Sequence, residues 1–120
     1  MGDFVSFELA QRLQEKGFTL EKTEIYGKFD SDGLFHSQLY FNYIETMDCD
    51  EIIAPTISQI LKWLRKEKKI HICVDFDVDM NWYYQIAIFG STDIAADGYG
   101  YNDYEMSALA GIERVLDNFI

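Results

Sequence analysis

The sequence holds one proline and two cysteines, and only 10 Lys and Arg against 21 Asp and Glu. One proline and eight glycines in 120 residues exclude a collagenous or low-complexity chain. Cys49 and Cys73 are too few for a disulfide framework, so the expectation is a cytoplasmic protein with reduced thiols. No apolar run approaches the roughly 18 residues a membrane span needs, and no membrane association is expected. Asp3 and Glu8 stand where a secretory signal would carry basic residues, so no such signal is predicted. The shortage of cations gives a formal net charge of −11. A chain so charged should repel nucleic-acid phosphates and anionic lipid, and it favours a basic partner.

Core-forming residues, in contrast, are plentiful. The hydrophobic fraction is 48% and the aromatic fraction 16%, which argues against disorder. At this length one domain over residues 1–120 is expected, large enough to bury a core without staples. The aromatic share is generous for one small core, and a homodimer burying some Tyr and Trp is expected from it.

Seven elements follow from periodicity. Leu9, Ala10 and Leu13 give a helix over 6–16, capped by Ser6 and stopped by Gly17 with Phe18 packing back. Strands over 22–29 and 34–43 flank Asp30-Ser31-Asp32-Gly33, a strong hairpin cue, with Leu39, Phe41 and Tyr43 on one face of the second. Pro55 opens a helix over 55–68, and Ile57, Ile60, Leu61 and Leu64 form its core stripe. A second hairpin covers 70–79 and 82–90. Its first strand places Ile70, Ile72, Val74, Phe76 and Val78 on one face and His71, Cys73, Asp75, Asp77 and Asp79 on the other. Residues 91–101 read as loop. A last helix over 103–118 has Asn102 as cap, Glu105 completing a capping box, and Tyr101 stapled to Met106. Leu109, Ile112, Leu116 and Phe119 carry its buried face. The order α-β-β-α-β-β-α implies an α+β fold, a largely antiparallel sheet with helices packed mainly on one face.

Several constellations carry candidate chemistry. Asp75, Asp77 and Asp79 form an acidic face, spaced about 6.6–7 Å apart along a strand. Hard cations want oxygens from several directions, which one column cannot supply, so the plain reading is a solvated face. His71, Cys73, His36 and Cys49 supply zinc-ligand types without zinc-site spacing. The Asp30–Gly33 segment resembles a calcium loop only superficially, because Phe41 occupies the twelfth position. No metal or cofactor is expected. Lys62, Arg65, Lys66, Lys68 and Lys69 hold five of the ten basic residues, and with Trp63 they form a candidate partner-binding patch. Cations also complement the negative end of a helix, which is the plainer account. Asp97-Gly98-Tyr99-Gly100-Tyr101 precedes a helix, as a phosphate cradle would, but lacks any phosphate-loop pattern and carries acidic neighbours. No nucleophile–base constellation is present, so no catalytic residue is assigned and no enzyme is expected.

Ala54-Pro55-Thr56-Ile57-Ser58-Gln59-Ile60-Leu61-Lys62-Trp63-Leu64-Arg65-Lys66-Glu67-Lys68-Lys69-Ile70-His71-Ile72 resembles a segment of small acidic proteins of phages, prophages and mobile elements of gut Bacteroidales. The paired Gly/Tyr stretch followed by Ala108-Leu109-Ala110-Gly111-Ile112-Glu113-Arg114-Val115-Leu116 is similar to their C-terminal ends. So is the opening Phe4-Val5-Ser6-Phe7-Glu8-Leu9-Ala10 with Glu15-Lys16-Gly17-Phe18. The resemblance implies a bacterial cytoplasm and a mobile-element setting, and it assigns no activity. The function expected from the sequence is a non-enzymatic accessory protein that binds another macromolecule, an unidentified protein. Two alternatives stand beside it. One is an acidic nucleic-acid mimic that inhibits a host DNA-binding protein. The other is a divalent-cation protein or small metal-dependent enzyme built on Asp75, Asp77 and Asp79.

Overall fold

Ser6 turns an extended segment into a helix. Its Oγ accepts the Leu9 N–H at 3.3 Å, which satisfies one of the donors a helix start leaves open. In the computed structural model, which describes residues 4–20, 24, 26–40 and 51–120, this helix is α1, Phe7–Glu15. Leu9, Ala10 and Leu13 are buried as their spacing predicts. The helix stops at Gly17, with φ +86°. The Gly17 N–H donates to the Gln14 carbonyl and the Phe18 N–H to the Leu13 carbonyl, each at 3.0 Å. That pair of bonds needs a left-handed residue, which only glycine adopts without strain.

The fold is α+β, and among the described residues the strands form two antiparallel sheets of three rather than the one sheet expected. The chain divides into two compact units, residues 1–59 and 60–120. In the first, β1 (Tyr26–Phe29) lies between β2 (Phe35–Tyr40) and β3 (Ile52–Ala54). The strand β3 was not expected. The expected positions of Phe41, Tyr43 and Cys49 fall outside the described residues. The turn between β1 and β2 forms where predicted: Gly33 has φ +82°, and Asp30 Oδ1 accepts the N–H groups of Asp32 (2.9 Å) and Leu34 (3.1 Å). The Leu34 bond chiefly holds the Asp30 carboxyl below its ordinary value, and His36 at 3.5 Å adds to this. All four residues of β1 are buried, including Lys28, whose ammonium meets Glu51 at 2.9 Å.

A helix, α2 (Ile57–Trp63), begins at the end of the first unit and continues into the second. It starts two residues after Pro55, because Thr56 caps it. Thr56 Oγ1 accepts the Gln59 N–H at 3.2 Å and Gln59 Oε1 accepts the Thr56 N–H at 3.0 Å, a reciprocal capping box. Its regular turns end at Trp63, short of the predicted 68. Leu64–Lys68 form one π-helical turn, closed by Lys69 at φ 58° donating its N–H to the Leu64 carbonyl.

The second unit is a sheet in the order β4 (Ile70–Phe76), β5 (Trp82–Ile88), β6 (Ile94–Tyr101), covered by α3 (Tyr104–Asn118). Among the described residues the element order is therefore α-β-β-β-α-β-β-β-α, two strands more than predicted. The stretch 91–101, expected as loop, supplies β6. Gly98 and Gly100 weaken its intrinsic strand preference, but the Tyr84 ring of β5 lies directly over Gly98. The other side of Tyr84 meets Gly111 of α3, where an added Cβ would fall 2.9 Å from Ile72 Cγ2 and 3.2 Å from the ring. Ala108, Ile112, Val115 and Leu116 complete the buried face, while Leu109 and Phe119 are only half-buried. The helix is capped by Asp103, one residue later than predicted: its carboxylate accepts the Met106 N–H at 2.8 Å. That shift takes Glu105 out of the capping-box position and leaves Met106 exposed rather than stapled.

Two outcomes follow for stability. Glu51→Gln removes one counter-charge from the buried Lys28 ammonium and lowers stability by about 3 kcal/mol in urea denaturation, while the apolar pair Lys28→Met with Glu51→Leu regains most of it. Gly98→Ala drives a methyl into Tyr84 and lowers stability by about 1–3 kcal/mol, read the same way.

Candidate functional site

Of the residues singled out from the sequence, the basic segment changes most on folding. Lys62, Arg65, Lys66, Lys68 and Lys69 are exposed, as a docking patch requires. Trp63 is not: it is 6% exposed, and the Lys68 ammonium stands 5.4 Å over its ring. Lys69 Nζ donates to the Lys66 carbonyl at 2.9 Å. Trp63 is therefore removed from the candidate patch. The bonds of Lys68 and Lys69 belong to the end of a helix, where cations meet unsatisfied carbonyls.

The acidic face does not survive as a column. The strand ends at Phe76, so Asp75 alone of the three lies in β4. Asp77 opens the turn to β5. Its Oδ1 accepts the N–H groups of Asp79 (2.9 Å) and Asn81 (3.1 Å), and Asp79 lies within that turn. The side chain has competed with the ladder for backbone donors, as aspartate does at turns. The same arrangement occurs at Asp30, where the left-handed position is Gly33. In the second turn Met80 takes it, at φ 65°.

The zinc-type residues are not gathered either. His36 pairs with Asp30 in the first unit, His71 and exposed Cys73 lie on β4, and Cys49 is outside the described residues. Among the described residues, no group of three His, Cys, Asp or Glu is placed to hold a metal ion. The supposed phosphate cradle 97–101 is strand, paired with β5. A shallow depression of about 300 Å³ in the first unit, lined by Gln11, Gln14, Glu15 and Ile52, is open and lacks a catalytic pair.

Two surfaces of the second sheet remain, and sequence reading named neither as a site. On the face away from α3, Tyr83 and Tyr99 are cross-strand partners whose rings stack at 5.2 Å. Desolvation, then the charge of Asp75, raises the Tyr83 hydroxyl above its ordinary value. The second surface is the hairpin end of the helix-covered face. Along β4 the apolar row begins with buried Ile70 and Ile72 and half-buried Val74, but Phe76 is 51% exposed and Val78, beyond the strand, 97%. Met80 is 72% exposed. Phe76 rests on Trp82 at 5.2 Å, and Trp82 meets Tyr104, at the start of α3, at 6.0 Å. The alternation in the sequence thus runs on past the end of β4 and into the turn. Leaving an aliphatic side chain in water forgoes roughly 1.5–3 kcal/mol of burial, and a left-handed non-glycine costs about 1–2 kcal/mol. Neither Val78 nor Met80 stabilises the fold from where it sits.

No family model, no curated protein and no solved structure matches the chain. Among the described residues no helix is long and apolar enough to cross a membrane. Met80→Gly relieves the left-handed strain and raises stability by about 0.5–1 kcal/mol in thermal melts, after the extra entropy of glycine is subtracted.

Proposed function

We propose that this chain acts without catalysis, by binding another protein through the hairpin end of its second sheet. The observation that supports this is the exposed apolar group at the hairpin end, with Phe76 at the end of β4 and Val78 and Met80 in the turn beyond it. Contiguous exposed apolar surface with a polar rim is characteristic of interaction sites, and aromatic anchors carry much of their energy. Phe76, Trp82 and Tyr104 supply such anchors. An accessory role of this kind fits the phage and mobile-element setting that the resemblance implies.

The alternatives are less well supported. A nucleic-acid mimic needs a continuous acidic surface, whereas here the carboxylates alternate with apolar side chains and five cations cluster in residues 62–69. A cation site at Asp75, Asp77 and Asp79 is not supported either, because among the described residues no group of three such side chains is placed to hold a metal ion.

The test is affinity capture from a host lysate, run in parallel with wild type and with Val78→Ser/Met80→Ser. Both changes are at exposed turn positions, and melting curves should remain alike. A protein retained by wild type and lost from the double variant is the expected result. An identical retained set would refute the assignment to this surface.

A further inference from the structure

The chemistry of the partner can be read from the rim of this surface, and the reading rests on the binding function proposed above. The exposed apolar residues of the hairpin end are interspersed with carboxylates in the chain. Phe76, Val78 and Met80 alternate with Asp75, Asp77 and Asp79, and Tyr104 lies between Asp103 and Glu105. Residues 74–82 and 99–107 contain no Lys or Arg, so these five carboxylates have no cation in either segment. Among the described residues none of the five is ion-paired. Asp75 points to the face away from α3, beside Tyr83, and accepts the Phe76 N–H; the other four remain at this end, and Asp77 and Asp103, which accept backbone N–H groups, keep their charge available to a partner. The nearest cation on α3, Arg114, is turned toward the Asp97 carbonyl (3.3 Å) and the Tyr84 hydroxyl (3.4 Å).

From this we infer that the hairpin end of the second sheet docks a basic amphipathic segment of another protein. The partner's apolar side chains cover Phe76, Val78 and Trp82, and its Lys or Arg side chains face Asp79 and Glu105. An acidic or neutral apolar segment would bury the same surface but bring carboxylates together or leave them unanswered, which disfavours it by like-charge repulsion. A helix with a narrow apolar stripe flanked by cations has the required pattern.

The test titrates the intact protein with two synthetic helical peptides sharing one leucine stripe, one with lysines on the flanks and one with glutamates. Trp82 fluorescence reports contact, and Trp82→Phe identifies its share of the signal against that of Trp63. The lysine peptide is expected to bind and shift the emission, and the glutamate peptide to bind at least about tenfold more weakly. Val78→Ser/Met80→Ser should weaken the lysine peptide about tenfold or more, since two anchors lose their apolar contact. Asp79→Asn/Glu105→Gln, which spares the turn-forming Asp77 and the capping Asp103, should weaken it too, and raising salt from about 0.05 to 0.5 M should weaken wild type but matter less to that variant.

Equal binding of the two peptides overturns the charge argument. Lysine-peptide binding untouched by Val78→Ser/Met80→Ser overturns the docking site, leaving only unspecific attraction. If neither peptide binds while the lysate capture still depends on Val78 and Met80, the inference about partner chemistry is wrong and the binding function stands. If the lysate capture is also unaffected, both fall. Self-association of wild type that disappears in Val78→Ser/Met80→Ser would make a second copy of the chain the occupant, and would likewise overturn the inference.

Discussion

The second unit is organised by one ring held between two glycines. Tyr84 projects from the middle strand, covers Gly98 of β6, and receives Gly111 of α3 on its other side. A side chain at either glycine would push the neighbour away, so the helix and the edge strand are both set by the same tyrosine. Arg114 closes the arrangement, donating to the Tyr84 hydroxyl and to the Asp97 carbonyl on β6. Tyr84 rings with Tyr101 as well, at 5.9 Å. With the crossing fixed at Gly111, the start of α3 is fixed too. The first residue of the helix, Tyr104, accordingly arrives over Trp82 and not farther along the hairpin.

Beyond the contact of Tyr104 with Trp82 an end of the sheet is left open. The hairpin projects past Trp82 through Asp77, Val78, Asp79 and Met80, and the helix that covers Ile70 and Ile72 has no residues left to cover it. The sequence keeps apolar groups there nonetheless. It also keeps methionine at a left-handed position that the corresponding turn in the first unit gives to glycine. Local rules broken at solvent-facing positions, with no gain inside the fold, are where a binding role is most economically sought. The charge pattern points the same way. Carboxylates spaced between apolar residues keep the exposed end from meeting its own kind, and the −11 charge of the chain as a whole adds to that repulsion.

Local signals were legible in the sequence and long-range ones were not. Ser6, Gly17 and the Asp30–Gly33 turn each act within a few residues, and each forms as its chemistry predicts. The stripe Ile57, Ile60, Leu61 and Leu64 is buried throughout. The Thr56–Gln59 capping box was visible as a pattern but hidden behind Pro55, a stronger-looking start. The strand β6 was illegible for a physical reason: Gly98 and Gly100 argue against a strand, and the ring that makes glycine suitable lies fourteen residues earlier, at Tyr84. The acidic face misled because period two cannot distinguish a strand from an aspartate turn that continues its alternation. Only the competition of Asp77 for backbone donors decides. The open end was invisible for a related reason. Alternation says which residues share a face, and not where the covering helix will stop.

The π-helical turn at Leu64–Lys68 has a consequence for the phase of everything after it. A wide turn takes up one residue more than a regular α-helical turn needs, and the left-handed Lys69 then hands the chain to β4. In a strand, one residue is the difference between two faces. With the extra residue in place, Ile70 and Ile72 meet the underside of α3, while His71 and Cys73 point away. A chain one residue shorter at this point would present imidazole and thiol to the core and isoleucine to water. The turn thus works as a spacer that keeps two different periodicities in step, one of 3.6 residues before it and one of two after it.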